Sequence, residues 1–238
     1  MQVGAAPKLP NLIFIMVDDM GYHDLGCYGS KTILTPNIDR MAKEGMRFTD
    51  CYSGDTVCAS ARSTLMTGYH KGHTPVRGNS GGVPLFPEDV TIAEVLKKAG
   101  YTTGGFGKWG LGDLGTEGVP EKQGFDEFFG YYHQVHAHDF YPPYLIDTGR
   151  KVQLPGNEGF DYRRRAAGFI PAEENGKQRQ YAHYEITKRT LEFIRKNKAK
   201  PFFCYVPFTI PHAAMHAPEE RVAPWRKKFP EYENVIGR

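Results

Sequence analysis

A short apolar run near the start of the chain constrains the fold more than any other segment. Residues 11–17 are apolar after Asn11, and Asp18 and Asp19 follow at once. The run is too short to span a membrane and is typical of a strand buried on both faces of a parallel sheet. Open α/β sheets place their ligands at the carboxyl ends of such strands. The two aspartates are therefore candidate ligands of a hard divalent cation, and a solvated turn with a helix cap is the simpler alternative.

Strand and helix patterns alternate along most of the chain. This alternation predicts an α/β fold with a mostly parallel sheet and helices on both faces. Residues 141–180, rich in proline, glycine and charge, are predicted to form a long insertion over the mouth of the site. The predicted helices cover residues 35–43, 58–67, 91–99 and 181–198, and the predicted strands cover residues 11–17, 48–52, 101–106 and 124–132 and begin again at 202. The faces predicted to point inward are Ile92, Val95 and Leu96 in one helix and Ile186, Leu191 and Ile194 in another.

The composition fits a globular protein and excludes some classes of function. The chain has 238 residues, 40% of them hydrophobic, which suits one large domain or at most two. A net charge of +3 without a long basic block does not indicate nucleic-acid binding. No apolar stretch is long enough for a membrane span, and residues 1–10 lack the apolar core of a secretory signal. The four cysteines show no regular spacing, so we expect free thiols or one disulfide at most.

Residues 57–68 combine a cysteine, an arginine and a helix end. They read Val-Cys-Ala-Ser-Ala-Arg-Ser-Thr-Leu-Met-Thr-Gly. Thiolates and tetrahedral oxyanions are both stabilised at a helix N-terminus. Cys58 and Arg62 stand at i and i+4, so their side chains project from one face of the helix. A lone cysteine is more often a small buried hydrophobe, and the alternative is a nucleophile beside a guanidinium that grips an anion.

Lys108 lies in a glycine-rich segment that follows another predicted strand. The segment, residues 107–112, reads Gly-Lys-Trp-Gly-Leu-Gly. Glycines let the backbone approach a ligand closely, and the lysine supplies a compact positive charge. A solvated surface lysine is the simpler interpretation when the residue is taken alone.

Histidines follow two of the predicted strands. His212 comes after the apolar strand that begins at Phe202. An imidazole titrates near neutrality and can protonate a leaving alkoxide. Three further histidines stand close together at His133, His136 and His138. A zinc site is the competing interpretation of this group, although no cysteine or clear fourth ligand accompanies it.

These segments, taken in order, resemble the motifs of the sulfatase family. The cysteine segment resembles the signature Cys-x-Pro-x-Arg-x-x-x-x-Thr-Gly, with matches at Cys58, Arg62, Thr67 and Gly68 and with Ser60 in place of proline.

Three further motifs extend the resemblance. Asp18 and Asp19 resemble the pair of aspartates that follows the first strand of the family. Residues 107–112 resemble Gly-Lys-Trp-His-Leu-Gly, with Lys108 matching and Gly110 in place of the histidine. His212 matches the histidine of a Pro-His pair at a strand end.

The resemblance implies an alkaline-phosphatase-like fold and an arylsulfatase-like sulfuric ester hydrolase. It implies that a formylglycine-generating enzyme oxidises Cys58 to formylglycine, whose hydrate attacks the sulfur of a sulfate ester. It further implies that Arg62 and Lys108 bind the sulfate. His212 is implied as the acid that protonates the leaving alcohol, and His138 as a residue that steadies the hydrate or the substrate.

The resemblance also implies a metal site and a cellular location. Asp18, Asp19 and the modified Cys58 are implied as ligands of a calcium ion. The resemblance to the family implies that the protein is periplasmic or secreted.

The resemblance covers about residues 10–236 but not the whole family domain. Family members add an Asp-Asn pair that completes the calcium site, a further lysine and a small C-terminal sheet domain. Residues 1–238 are therefore expected to be the N-terminal part of a sulfatase catalytic domain, with a truncated sheet and an incomplete site. Two other functions stay open: a phosphoester or phosphonate ester hydrolase of the same superfamily, and a non-catalytic sulfatase-like binding protein, which Ser60 and Gly110 favour.

Overall fold

A computed structural model of the chain describes residues 9–79, 83–164, 168–171, 173–174, 176–226 and 228–229. Within these ranges the helices are α1 (Pro36–Glu44), α2 (Cys58–Thr67), α3 (Ile92–Lys98), α4 (Ala182–Asn197) and α5 (Glu219–Arg226). The strands are β1 (Leu12–Asp18), β2 (Thr102–Lys108), β3 (Glu127–Tyr131), β4 (Tyr144–Asp147), β5 (Arg150–Gln153), β6 (Gly168–Ile170), β7 (Glu173–Glu174), β8 (Lys177–Gln178), β9 (Phe202–Pro211) and β10 (His216–Pro218).

The main sheet is mostly parallel, as the sequence predicts. Its strands lie in the order β1-β9-β2-β3-β4-β5. The first four are parallel neighbours, and β4 and β5 are added in antiparallel fashion. The short strands form two small pairs, β10 with β6 and β7 with β8.

Helices cover both faces of the sheet, which confirms the predicted architecture. Successive side chains of β9 point to opposite faces, because the side-chain period of a strand is two residues. Phe203 and Tyr205 belong to the buried cluster that contains residues of α2 and α3. Phe202, Cys204 and Val206 belong to the cluster that contains residues of α4. The central strand is therefore packed from both sides over residues 202–206.

The first strand is present, but its predicted burial is wrong. Among the described residues β1 pairs with β9 alone and forms an edge of the sheet. Ile13, Phe14 and Ile15 are 50%, 41% and 56% exposed. An apolar edge strand with unpaired backbone groups is a template for further pairing.

The helices lie where the sequence predicts them, whereas the buried faces of α3 and α4 differ from the predicted inward faces. In α3 Ala93 is fully buried, while Ile92 and Val95 are exposed. In α4 Leu191 is exposed and Phe193 is buried. Phe193 packs against aromatic rings of the sheet, and this large contact sets the rotation of α4 about its axis.

Two predictions about connecting segments are wrong. Residues 48–52 form no strand, and Phe48 and Tyr52 are exposed. Residues with high strand propensity form a strand only where a neighbour offers pairing and burial, and this segment has neither among the described residues. Residues 141–180 are also not one long insertion, because β4 and β5 extend the main sheet.

Two simpler predictions concern disulfides and membrane-spanning helices. All four cysteines are free thiols, in agreement with the sequence. In the described part of the chain, every helix is too short or too polar to cross a lipid bilayer.

Candidate active site

Three neighbouring strands bring polar side chains to the same edge of the sheet. β1 ends at Asp18, β2 ends at Lys108, and β9 ends one residue before His212. Because these strands are parallel neighbours, their carboxyl ends meet. The register also brings the backbone of Asp18 level with Pro211.

Helix α2 adds a cysteine and an arginine to this edge. Cys58 is its first residue, and the backbone N–H of Ala59 donates to Oδ1 of Asn79 at 2.9 Å. Arg62, one turn later, is only 1% exposed. The helix ends at Gly68, whose φ of +70° is the left-handed conformation that suits glycine at a helix end.

Asp18 accepts hydrogen bonds from two buried cations. Nζ of Lys108 lies 2.7 Å from Oδ2 of Asp18, and Nη2 of Arg62 lies 3.2 Å from the same oxygen. Nη1 of Arg62 also donates to the carbonyl oxygen of Lys108 at 2.5 Å. Burial opposes ionisation of Asp18, but the charges of Arg62 and Lys108 outweigh it and hold the pKa of Asp18 below its usual range.

The two cations carry more positive charge than the one carboxylate between them can neutralise. Arg62 and Lys108 carry two positive charges, and the buried Asp18 supplies one negative charge. Nε of Arg62 has no hydrogen-bond partner among the described residues. An unpaired buried donor beside excess positive charge is suited to an anion.

Cys58 lies between Asp18 and His212. Its Sγ is 3.4 Å from Oδ1 of Asp18, and the ligand atoms of the three residues all lie within 4.8 Å of one another. A hydrogen bond with His212 lowers the pKa of the Cys58 thiol, although burial opposes this shift. The same hydrogen bond raises the pKa of His212. The pair therefore favours a thiolate beside an imidazolium.

His138 joins the site through its contact with His212. The two rings stack with their centroids 4.6 Å apart and their planes 25° from parallel. Burial lowers the pKa of His138, and the positive charges of His212 and Lys108 add to the effect. Asp19 lies at the rim, 61% exposed, with its Oδ2 3.3 Å from Nε2 of His212.

The other two histidines of the 133–138 group serve different contacts. His136 packs between the rings of Tyr131 and Tyr144. His133 lies 3.6 Å from the carboxylate of Asp113. In the described part of the chain, the three potential metal ligands that come together are instead those of Asp18, Cys58 and His212.

Two positions depart from the motifs that the sequence resembles. Ser60 is fully buried, and its hydroxyl donates to the carboxylate of Asp55. Gly110 has a φ of +78°, and a Cβ atom there would lie 2.7 Å from Oε1 of Gln134. Ser60 therefore anchors the first turn of α2, and the space beside Gly110 is filled by a glutamine.

Sequence reasoning did not identify Asn79 and Gln134 as part of this region. Asn79 accepts the N–H of Ala59 from 20 positions away. Gln134 lies within the group formed by His133, His136 and His138, and histidines are the more familiar metal ligands and acids. No local pattern marks either residue, because their positions follow from loop packing.

Comparisons with known proteins decide the family. The family model for sulfatases matches residues 10–235. The chain belongs to the sulfatase family. Rat N-acetylgalactosamine-6-sulfatase is 33% identical to this sulfatase chain over 234 residues, which cover 90% of the chain and 42% of the rat enzyme. Human arylsulfatase A is 46% identical over 134 residues, which cover 53% of the chain and 26% of the human enzyme.

A solved structure extends the similarity to three dimensions. The crystal structure of Ps i-CgsB superposes with a TM-score of 0.75 and 29% sequence identity. The match covers 92% of this sulfatase chain and 49% of that protein. The chain thus spans about half the length or less of the relatives that it matches.

Proposed function

We propose that this chain is the N-terminal part of a sulfatase catalytic domain and that the protein hydrolyses sulfate esters. The observation that carries the proposal is the buried pair of cations, Arg62 and Lys108, around a single carboxylate at the start of α2. Membership of the sulfatase family supports the same reaction.

The anion site follows from charge and geometry. The guanidinium of Arg62 is planar and can bind two oxygens of a tetrahedral anion, and the ammonium of Lys108 adds a point charge. The positive end of the α2 dipole contributes further positive potential. Both cations are buried, so water screens them little, and they stabilise charge that develops on a transferring sulfuryl group.

Cys58 is the proposed position of the nucleophile. It is the first residue of α2, it lies one turn from Arg62, and its small side chain faces Asp18. We propose that a formylglycine-generating enzyme oxidises it to formylglycine. Once formed, the hydrate of that aldehyde supplies an oxygen nucleophile within the anion site.

Calcium is the proposed metal, and the donor set fits part of its shell. Asp18 and Asp19 offer carboxylate oxygens, which hard divalent cations prefer, and the ligand atoms that lie together in the described part of the chain are those of Asp18, Cys58 and His212. Oδ1 of Asp18 faces Cys58, while Oδ2 is engaged by Lys108 and Arg62. A calcium ion held by these aspartates would supply positive charge next to residue 58.

His212 is the proposed acid for the leaving alcohol. Its Nε2 lies 3.3 Å from Oδ2 of Asp19, and a protonated imidazole in this position can donate a proton to the leaving alkoxide. The proton passes from the ring to the alkoxide oxygen as the sulfur–oxygen bond breaks. His138, stacked on His212 and held neutral by its lowered pKa, fixes the orientation of the acid.

The substrates and the location that we propose are those implied by the resemblance to the sulfatase family. The substrates are aryl or carbohydrate sulfates, and the protein acts in the periplasm or outside the cell. Mass spectrometry of the peptide containing residue 58, prepared from a native host, should show formylglycine. An active enzyme with an intact, alkylatable Cys58 would overturn the formylglycine role.

A comparison of a sulfate and a phosphate ester that share one aryl leaving group tests the reaction itself. The natural protein should hydrolyse an aryl sulfate faster than the matching aryl phosphate, and Arg62→Ala should abolish both activities. Faster turnover of the phosphate would assign the site to phosphoester chemistry. If protein that carries formylglycine at position 58 hydrolyses neither ester, the site has a binding role instead.

A further inference from the structure

A cavity of about 340 Å³ adjoins the anion site. It borders Ala59, which follows Cys58 in α2, and Gly110, which lies two residues after Lys108. The polar residues of its lining include Arg77, Asn79, Asp113, Thr116, His133 and Gln134. A group attached to a sulfate held by Arg62 would extend toward this cavity, whose lining combines polar residues with apolar ones such as Val76 and Pro84.

Gln134 is the unusual member of the lining. Its side chain is 7% exposed, and neither Oε1 nor Nε2 has a hydrogen-bond partner among the described residues. Nearly all buried side-chain amides have partners, because an unpaired one loses its bonds to water without compensation. Gln134 lines the cavity, so its unpaired carboxamide is a candidate partner for a ligand bound there.

Gly110 explains how this carboxamide reaches the anion site. A Cβ at Gly110 would lie 2.7 Å from Oε1 of Gln134 and 3.8 Å from Cδ of Arg62. A side chain at position 110 would therefore require the end of the Gln134 side chain to shift. The carboxamide of Gln134 occupies the space next to Arg62 that such a side chain would fill.

Resting on the proposed function, we propose that Gln134 is a specificity-determining residue that binds a sugar hydroxyl group near the sulfate, so that the substrate is a carbohydrate sulfate. A carboxamide donates through Nε2 and accepts through Oε1. A sugar hydroxyl also donates and accepts, so one hydroxyl satisfies both unpaired atoms. An aryl ring offers neither group and leaves the amide unpaired, which a site built for hydrogen bonding penalises strongly.

The test compares ligands that share the sulfate and differ in the attached group. Calorimetry on the natural protein would measure the binding of inorganic sulfate, 4-nitrophenyl sulfate and the 4- and 6-sulfates of N-acetylgalactosamine. The variants are Gln134→Leu, which keeps the size of the side chain, and Gln134→Met, which adapts its shape if the leucine does not fold. Gln178→Leu, the same change at an exposed position on β8, is the matched control.

We expect wild type to bind at least one sugar sulfate at least tenfold more tightly than inorganic sulfate. Gln134→Leu should remove that preference, change sulfate affinity less than twofold, and melt at the same temperature or higher. Gln178→Leu should change none of these values. A higher melting temperature is expected because the substitution removes an unpaired buried amide.

The outcomes separate this inference from the function on which it rests. Sulfate binding without a preference for the sugar sulfates, or a preference that survives Gln134→Leu and Gln134→Met, would overturn the inference and leave the proposed function standing. A loss of several degrees in melting temperature with unchanged ligand preference would give Gln134 a structural role instead. Failure of wild type to bind inorganic sulfate or any sulfate ester would overturn both.

Discussion

Nζ of Lys108 lies 2.7 Å from Oδ2 of Asp18, and Lys108 is 1% and Asp18 6% exposed. The two residues are 90 positions apart and end strands β2 and β1. Because β9 lies between those strands, the pair spans the carboxyl edge of the sheet. Buried charges are costly unless they are paired, so the contact couples the fold of this edge to the charge balance of the anion site.

Asp18→Asn should destabilise the protein strongly. It leaves Arg62 and Lys108 buried without a counter-charge, and breaking a buried ion pair typically costs about 3–5 kcal/mol. Asp19→Asn is the matched control, because Asp19 is 61% exposed and should cost less than about 1 kcal/mol. Urea unfolding measures both values. Equal effects of the two substitutions would show that the Asp18 contacts contribute no special stability.

Cys58, where it is left unmodified, should be an unusually reactive thiol. Its hydrogen bond with His212 lowers its pKa, so the thiolate persists at pH values where an ordinary thiol is protonated. Burial raises the pKa of Cys204 to about 12, so that thiol serves as the unreactive internal reference. Alkylation with iodoacetamide at pH 7, followed by peptide mass spectrometry, should label Cys58 far ahead of Cys204.

His212→Asn should slow this alkylation measurably at pH 7. Removing the hydrogen bond raises the pKa of Cys58, and each unit of pKa lowers the thiolate fraction about tenfold where the thiol is mostly protonated. The difference should shrink at pH 10, where the thiol ionises without help. A rate that is unchanged by the substitution at pH 7 would contradict a Cys58–His212 pair.

Arg62→Lys should lower kcat/KM for a sulfate ester about 10²–10³-fold. A lysine keeps the charge but loses the planar fork and the bond to the carbonyl of Lys108. Losing one preorganised charge-stabilising donor has an effect of this size in other enzymes. Arg150→Lys, an exposed change on β5, is the control and should leave kcat/KM within twofold. A similar small effect at Arg62 would show that charge alone suffices there.

The sequence predicts most strands, and which residues gather at the carboxyl edge of the sheet, better than it predicts which surfaces are buried. The apolar run before Asp18 identifies a strand, but its pattern is the same in a central strand and in the edge strand found here. In α3 both Ile92 and Ala93 fit an apolar stripe, and only tertiary packing selects Ala93. Asn79 and Gln134 carry no signal at all, because loop packing rather than local periodicity brings them to α2 and Gly110.

The pH dependence of stability offers a separate test at Asp139. Burial raises the pKa of this carboxyl to about 6, although it accepts a hydrogen bond from the backbone N–H of Tyr141 at 2.9 Å. The unfolded carboxyl ionises near its ordinary pKa of 3.8. Between these values the folded state binds more protons, so this contribution to stability is full below the unfolded pKa and is lost as the pH rises through about 6.

Asp139→Asn should therefore stabilise the protein at pH 7.5 and change little at pH 4. The amide keeps an acceptor for the N–H of Tyr141 and removes the buried charge, so the gain at pH 7.5 is at most about 2–3 kcal/mol. Asp50→Asn, at an exposed carboxyl, is the control and should shift the free energy of unfolding by less than about 0.5 kcal/mol at either pH. Urea unfolding at the two pH values measures the difference. An equal effect of Asp139→Asn at both values would mean that packing, and not ionisation, sets the stability at this position.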